Sequence, residues 1–392
     1  MVVSDMANSP KNLPAAGMGS SMGKIASSYT SPSISVLGSH SALDISAGAR
    51  AFGLKSTVVC QKGREKTYKK YYLKRNTPLG QVGCIDEIML LDRFSDIAGK
   101  KAVLELQKKQ SVFVPHRSFS VYVGYDLIEN QFEVPIFGNR HLLRAEERNT
   151  PKNQQWLLRK AGVRIPQTFG SPGEIDRLVL VKASEAARKY ERAFFTVNSA
   201  HEYERKSKEM LASGLITQEG LESALIEEFV LGAQFNFNYF VSPLTGELEL
   251  MGTDFRRQTN LDGLLRLTAP EQIEILKIAR MKNIEVGHVA CTIRESLLEK
   301  VFEIGEKFVE TCRREYKPGI IGPFALQGAL IPSESGEEPV IFDVSFRVPG
   351  SPGVRYTPYG DYLRGRSMSV GERIALEVKT AAKEGRMAEI VT

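Results

Sequence analysis

Gln327, Asp343, Ser345 and Arg347 are spaced so that one face of a β-hairpin could hold a divalent cation and nucleotide phosphates. In the second arm, Val340, Phe342, Val344 and Phe346 fall on one face, and Ile341, Asp343, Ser345 and Arg347 on the other. The stretch Pro332-Ser-Glu-Ser-Gly336-Glu-Glu between the arms is rich in residues that end strands. A hairpin centred on Ser335 sets Gln327 opposite Asp343. Carboxylate and amide oxygens are hard donors of the kind Mg2+ takes, with phosphate oxygens completing the shell. An Asp, a Ser and an Arg on so apolar a strand need partners, because an unpaired buried charge is costly. A solvated face carrying an ordinary ion pair has the same pattern.

Four other clusters could act on phosphates or a base. Gly38-Ser39-His40-Ser41 opens a helix, where first-turn N–H groups with Ser and His side chains can seat a phosphate; a plain serine cap reads the same way. Pro115-His116-Arg117-Ser118 follows another strand. Lys182 ends a strand and could meet ATP phosphates as a point charge. In Ile226-Glu227-Glu228-Phe229-Val230-Leu-Gly232, backbone groups of Phe229 and Val230 could read an adenine edge while a carboxylate takes ribose hydroxyls; an amphipathic strand edge is the alternative. Asp254-Phe-Arg256-Arg257-Gln-Thr-Asn260 gathers cations and an amide, suited to phosphate oxygens or to a mixed-charge surface loop.

The elements that must position these residues follow from periodicity. Ser33–Leu37, Ser56–Cys60, Cys84–Leu91 and Ser111–Val114 read as strands separated by helices such as Ser41–Phe52. That alternation predicts a parallel sheet covered by helices, with ligands at the strands' carboxyl ends. After about residue 150 come strands Arg177–Lys182 and Glu191–Val197, a polar helix over His201–Ser213, and the antiparallel strands Ala233–Val241 and Glu247–Arg256. Helices Ser296–Tyr316 and Ser369–Glu384 complete the chain.

Its 392 residues, 42% hydrophobic and 25% charged, suffice for two or three subdomains with ample core. A net charge of +6 suits phosphorylated small molecules as well as nucleic acid, and with one Trp no nucleic-acid module is expected. The four Cys lack CxxC spacing and read as buried free thiols in a reducing cytoplasm. No apolar stretch reaches the roughly 20 residues of a membrane span. Residues 1–30 are small and polar, which predicts a disordered tail rather than a signal peptide.

In order, a parallel domain, a two-strand lid with Lys182, a Glu-Glu-x-Val hinge and the Gln327/Asp343 hairpin resemble the ATP-grasp superfamily. More narrowly, LGSHSALDI, CQKGREKTY, VPHRSF, VPIFGNRHLLR, LLRKAGVRIPQTF, IEEFVLGAQFNFNYFVSP, GTDFRRQTNLDGLLR, GIIGPFALQGAL and SMSVGERIALEVKTA resemble the archaeal formate-dependent FAICAR synthetases, the PurP family. The resemblance runs from about Ser33 to Thr392. It implies an α/β (α+β) ATP-grasp fold: a Rossmann-like domain over 31–140, a lid over 141–232, and a C-terminal subdomain over 233–392 bearing the metal hairpin. It implies an ATP-dependent ligase that formylates AICAR (5-aminoimidazole-4-carboxamide ribonucleotide) with formate through formyl phosphate, in IMP biosynthesis. His40, Ser118 and Asn260 then match AICAR-holding positions, with Ser39 and Arg257 beside them. Glu228 matches an ATP-contacting carboxylate, joined in that role by Lys182, Glu227 and Val230. Gln327 and Asp343 match positions for Mg2+ or Mn2+, supported by Ser345 and Arg347. A cytoplasmic homo-oligomer that binds neither nucleic acid nor membrane is implied as well.

Three departures stand out. After Lys182 the family's glycine-rich segment is replaced by Ala-Ser-Glu-Ala-Ala-Arg188-Lys189-Tyr-Glu-Arg192, so this lid must work through Arg188, Lys189 and Arg192 or not at all. Arg117 stands where glycine is usual, and Pro349-Gly-Ser-Pro-Gly353 replaces a Gly-Gly-Thr-Asn type of loop. A nucleotide-binding relative without ligase activity, and a ligase using another small carboxylate or amine, therefore stay open beside the formylating ligase.

Overall fold

The computed structural model describes residues 17–147, 150–183, 194–257, 261–279, 285–334 and 336–392. Two compact units emerge: Met1–Leu143 with Ser242–Gly246 and Gly371–Thr392, and Arg144–Val241 with Glu247–Val370.

In the first unit the chain lays down β1 (Ser33–Leu37), β2 (Ser56–Gln61), a short hairpin of β3 (Arg75–Thr77) and β4 (Gly80–Val82), then β5 (Glu87–Leu91) and β6 (Ser111–Phe113). Parallel pairing gives the order β5-β2-β1-β6. All five residues of β1 are buried, as a strand covered on both faces requires. Phe113, Phe119 and Phe132 pack ring on ring beneath the β6 end, with centroids 4.4, 5.1 and 5.3 Å apart.

The closing helix Val370–Glu384, expected in the last subdomain, groups with this first unit. Gly371 N–H donates to Asp44 Oδ2 at 2.9 Å, and the buried Arg140 guanidinium donates to the carbonyl of Thr392 at 2.6 Å. A Cβ on Gly48 would stand 2.1 Å from the carbonyl carbon of Gly371, so the helix Ala42–Ala51 meets that backbone only through glycine. Gly48→Ala is therefore expected to lower stability by about 3 kcal/mol, the upper range for overpacking, read as a drop in denaturation midpoint. The tail expectation is corrected over residues 17–27, while residues 1–16 lie outside the described residues. Gly17–Ser27 is a helix with Met22 and Ala26 buried, and its Gly23 lies against Ala388. Small residues on one side of that turn allow the close packing.

The second unit holds two antiparallel sheets. β7 (Thr168–Phe169), β8 (Val179–Lys182), β9 (Phe194–Val197) and β10 (Leu225–Glu228) form one, in the order β7-β10-β8-β9. β11 (Ala233–Val241), β12 (Leu248–Arg257), β13 (Gly287–Cys291), β14 (Gly322–Ser333) and β15 (Gly336–Ser345) form the other, ordered β13-β12-β11-β14-β15. Its apolar face takes the helix Leu298–Glu315: Phe324 stacks on Tyr239 at 5.0 Å and on Phe308 at 6.2 Å. Tyr239 Oη donates to the Val301 carbonyl at 2.7 Å. Because strand side chains alternate, Asn236, Asn238, Asp254 and Gln327 must lie on the opposite face.

Candidate active site

In the register of β14 and β15, Gln327 lies opposite Asp343, but the route there differs from simple alternation. Val340 pairs with Ala329 and Ile341 with Gly328, then the register shifts, leaving Phe342 as the extra residue of a bulge. Val340 and Ile341 therefore exchange the faces expected for them, and Ile341 is fully buried away from Asp343. Gly328 makes the bulge possible, since a Cβ there would stand 2.3 Å from the Val340 carbonyl oxygen.

Asp343 is one end of a row. Gln327 faces Asn236, and Asn236 faces Asp254, so Asp254, Asn236, Gln327 and Asp343 cross four strands side by side. The next row on that face carries Asn238, Ala325 and Ser345. Gln327 Nε2 donates to Ser345 Oγ at 3.2 Å, and Arg256 Nη2 donates to Gln327 Oε1 at 2.5 Å. Asp254, 0% exposed, accepts from Asn236 Nδ2 at 3.0 Å, Asn238 Nδ2 at 2.6 Å and His288 Nδ1 at 2.5 Å. Burial pushes the Asp254 carboxyl up, but the hydrogen bonds from His288 and the two amides outweigh it and hold it below its ordinary value.

This donor set fits a hard divalent cation. It offers one carboxylate, a facing amide oxygen whose second lone pair stays beside the Arg256 bond, and a hydroxyl nearby. Asn238 Oδ1, buried on the same face, has no hydrogen-bond partner among the described residues. Arg347, expected beside Asp343, turns elsewhere. Glu146 Oε1 accepts from the Phe346 N–H at 2.9 Å, and its other oxygen meets Arg347 Nη2 at 3.2 Å.

On the smaller sheet, Lys182 forms an ion pair with the buried Glu227, diagonally across β8 and β10. Glu228 Oε2 accepts from the Gln167 N–H at 3.1 Å and its Oε1 lies 3.5 Å from Arg164. The Phe229 N–H, one of the backbone groups expected to read a base edge, is taken by the Leu178 carbonyl at 3.0 Å. Arg257 is exposed at the end of β12. Arg188, Lys189, Arg192 and Asn260 lie outside the described residues.

In the first unit, the strand order reverses between β1 and β6, and in an open parallel sheet ligands bind beyond the carboxyl ends at that reversal. The loop over 38–41 sits there and meets the start of the helix Arg117–Val123, which His116 caps where a loop through Ser118 was expected. Ser118 Oγ donates to Ser39 Oγ at 2.9 Å, and the His40 ring stacks on His116 at 5.7 Å. His116 is fully buried. Its Nδ1 accepts from the Ser118 N–H at 3.2 Å, so Nε2 is the nitrogen that donates to the Leu37 carbonyl at 2.9 Å. Ser41 precedes the helix Ala42–Ala51 without a side-chain cap bond, and its Oγ lies 3.1 Å from His40 Nδ1. A Cβ on Gly38 would stand 2.6 Å from Cys60 Sγ and 3.1 Å from the Tyr68 ring, so glycine alone lets this loop lie so close.

Sequence reasoning named Asp254 only as part of a cluster and passed over Asn236, Asn238, Glu285 and His288. The Asn residues could have been found from QFNFNYF, where amides alternate with aromatics at strand period. His288, on a five-residue edge strand, carried no such signal.

Residues 34–169 match a family model described as a protein of unknown function (DUF1246), and residues 202–392 one described as a domain of unknown function (DUF1297). The chain is 39% identical over 362 residues to the 5-formaminoimidazole-4-carboxamide-1-(beta)-D-ribofuranosyl 5'-monophosphate synthetase of Methanopyrus kandleri, covering 92% of this chain and 95% of that one. It is 38% identical to the Methanothermobacter thermautotrophicus protein of the same name, over 92% and 94% of the two chains. Among solved structures, the IMP biosynthesis protein PurP from Thermococcus kodakaraensis superposes with a TM-score of 0.67 at 26% identity, over 92% of this chain and all 100% of that one. An ADP complex of N5-carboxyaminoimidazole ribonucleotide synthetase shares the fold, with a TM-score of 0.55 at 12% identity over 87% and 80% of the chains. The chain thus has the ATP-grasp fold and belongs to the family of 5-formaminoimidazole-4-carboxamide-1-(beta)-D-ribofuranosyl 5'-monophosphate synthetases.

Proposed function

We propose that this protein is an ATP-dependent ligase that joins formate to the 5-amino group of AICAR, giving FAICAR, ADP and phosphate in IMP biosynthesis. The observation that carries the reading is the facing pair Gln327 and Asp343, set with Arg256 on the polar face of the large sheet in a chain of this family. Formate oxygen attacks the γ-phosphorus of ATP and ADP leaves; the amine then attacks the formyl carbon, and phosphate leaves with the amine losing a proton. Neither step needs a side-chain nucleophile. Consistently, burial pushes the Cys60 thiol up to about 12, far from a reactive thiolate.

What the protein supplies is placement and charge. Asp343 and Gln327 would hold Mg2+ or Mn2+, which would supply positive charge against the nucleotide phosphates and the charge developing on them. Lys182, aligned by its pair with Glu227, serves the phosphates, while Glu228 and Val230 serve ribose and adenine. Arg188 and Arg192 add cations for the phosphates. Ser39, His40 and Ser118 in the first unit take AICAR.

Incubation with ATP, Mg2+, AICAR and formate should release one ADP per formylated product, with no ADP formed when formate is withheld. Retained AICAR and ATP binding without turnover at saturating substrates would make the protein a nucleotide-binding relative instead. Replacing formate by acetate or bicarbonate in the same assay checks the acid, and the expected result is loss of product.

A further inference from the structure

We infer that the Asp254–His288 pair is a positioning element for the face that carries Gln327 and Asp343: it sets the amides of Asn236 and Asn238 directly, and Arg256 through Glu285. Both ring nitrogens of His288 face carboxylates, Nδ1 at 2.5 Å from Asp254 and Nε2 at 3.1 Å from Glu285. Glu285 Oε2 in turn lies 3.7 Å from Arg256 Nε, and Arg256 holds the Gln327 oxygen at 2.5 Å. A continuous polar chain therefore runs from the edge strand β13 to Gln327 and on to Ser345. Asp254, an acceptor only, takes the nitrogens of both asparagines and so turns both amide oxygens away from itself.

The pair has a protonation state that matches this role. Burial pushes the His288 imidazole down, but Asp254 and Glu285 more than reverse it and raise it to about 9. The imidazolium is thus present below that value and lost as pH rises through it. The charged groups facing His288 among the described residues are Asp254, Glu285 and, directly opposite on β12, Arg256; the Ser351 hydroxyl lies 3.3 Å from Nδ1.

The inference rests on the reading of this face as the metal and phosphate face, so the test follows binding rather than turnover. Calorimetric titration of the intact protein with the Mg2+ complex of a non-hydrolysable ATP analogue, from pH 6.5 to 9.5, should show wild-type affinity falling as pH passes about 9. His288→Gln should bind the complex about tenfold more weakly at pH 7.5 and lose the alkaline fall. Should that variant not fold, Glu285→Gln, which alters a half-exposed side chain on the outer nitrogen, should show a smaller loss of the same kind. Folded variants with wild-type affinity and an unchanged alkaline fall would overturn the positioning role alone. No binding by wild type at any pH would overturn the reading of the face and the role together.

Discussion

Asp343→Asn is expected to lower ATP turnover by about a hundredfold or more and to leave AICAR affinity within about twofold of wild type. The substitution keeps shape and removes charge. Asp343 is half-buried on β15 opposite Gln327, so an amide in its place costs the fold little, within about 0.5 kcal/mol. The Gln327–Asp343 pair then becomes two neutral amides, and a hard dication held by protein through so few ligands loses its one carboxylate. The loss should therefore shrink as Mg2+ is raised, because weaker metal affinity is offset by mass action. A variant that loses AICAR affinity as much as turnover, or one indifferent to Mg2+, would remove the metal role from this hairpin. Steady-state ADP release across a Mg2+ series, with AICAR titrated calorimetrically, separates these outcomes.

That Gln327 and Asp343 could be paired from sequence at all depended on a compensation. Counting from Ser335 gives the facing pair, and the bulge at Phe342 brings the chain to that register while the residues nearer the turn follow a register shifted by one. The strands of the first sheet were legible because short apolar runs alternated with helical periods, and β1 and β11 came out with the expected bounds. The placement of Val370–Glu384 in the first unit was not legible. It depends on two glycines, Gly48 and Gly371, remote in sequence, and on Arg140 reaching the last residue. The same holds at the site. His116 reads as one of a polar cluster, yet its fixed tautomer arises from Leu37, which periodicity marks only as core. Asp254 and His288 meet across β12 and β13, and a single sequence has no means of pairing an edge strand of five residues. Side-chain period can assign a face; it cannot say which neighbour a buried polar group finds there.

His40→Ala is expected to weaken AICAR binding by about ten- to thirtyfold, the worth of a charge-assisted hydrogen bond to phosphate, with ATP binding nearly unchanged. The loop that carries His40 follows β1, and its neighbour Ser39 is bonded to Ser118 in the first turn of the helix Arg117–Val123 after β6, so removing one side chain leaves the frame standing. His40 also has φ of 47°, a left-handed conformation in which Ala costs about 1 kcal/mol. Weaker binding in the Ala variant alone could then report a moved loop rather than a lost contact. His40→Asn resolves this, because Asn tolerates that backbone and carries no imidazole. If the ring itself holds the nucleotide, both variants lose AICAR affinity to a similar extent while only His40→Ala melts earlier. An Asn variant that binds AICAR as wild type does would mean that the strained turn, and not the histidine, is what the nucleotide requires.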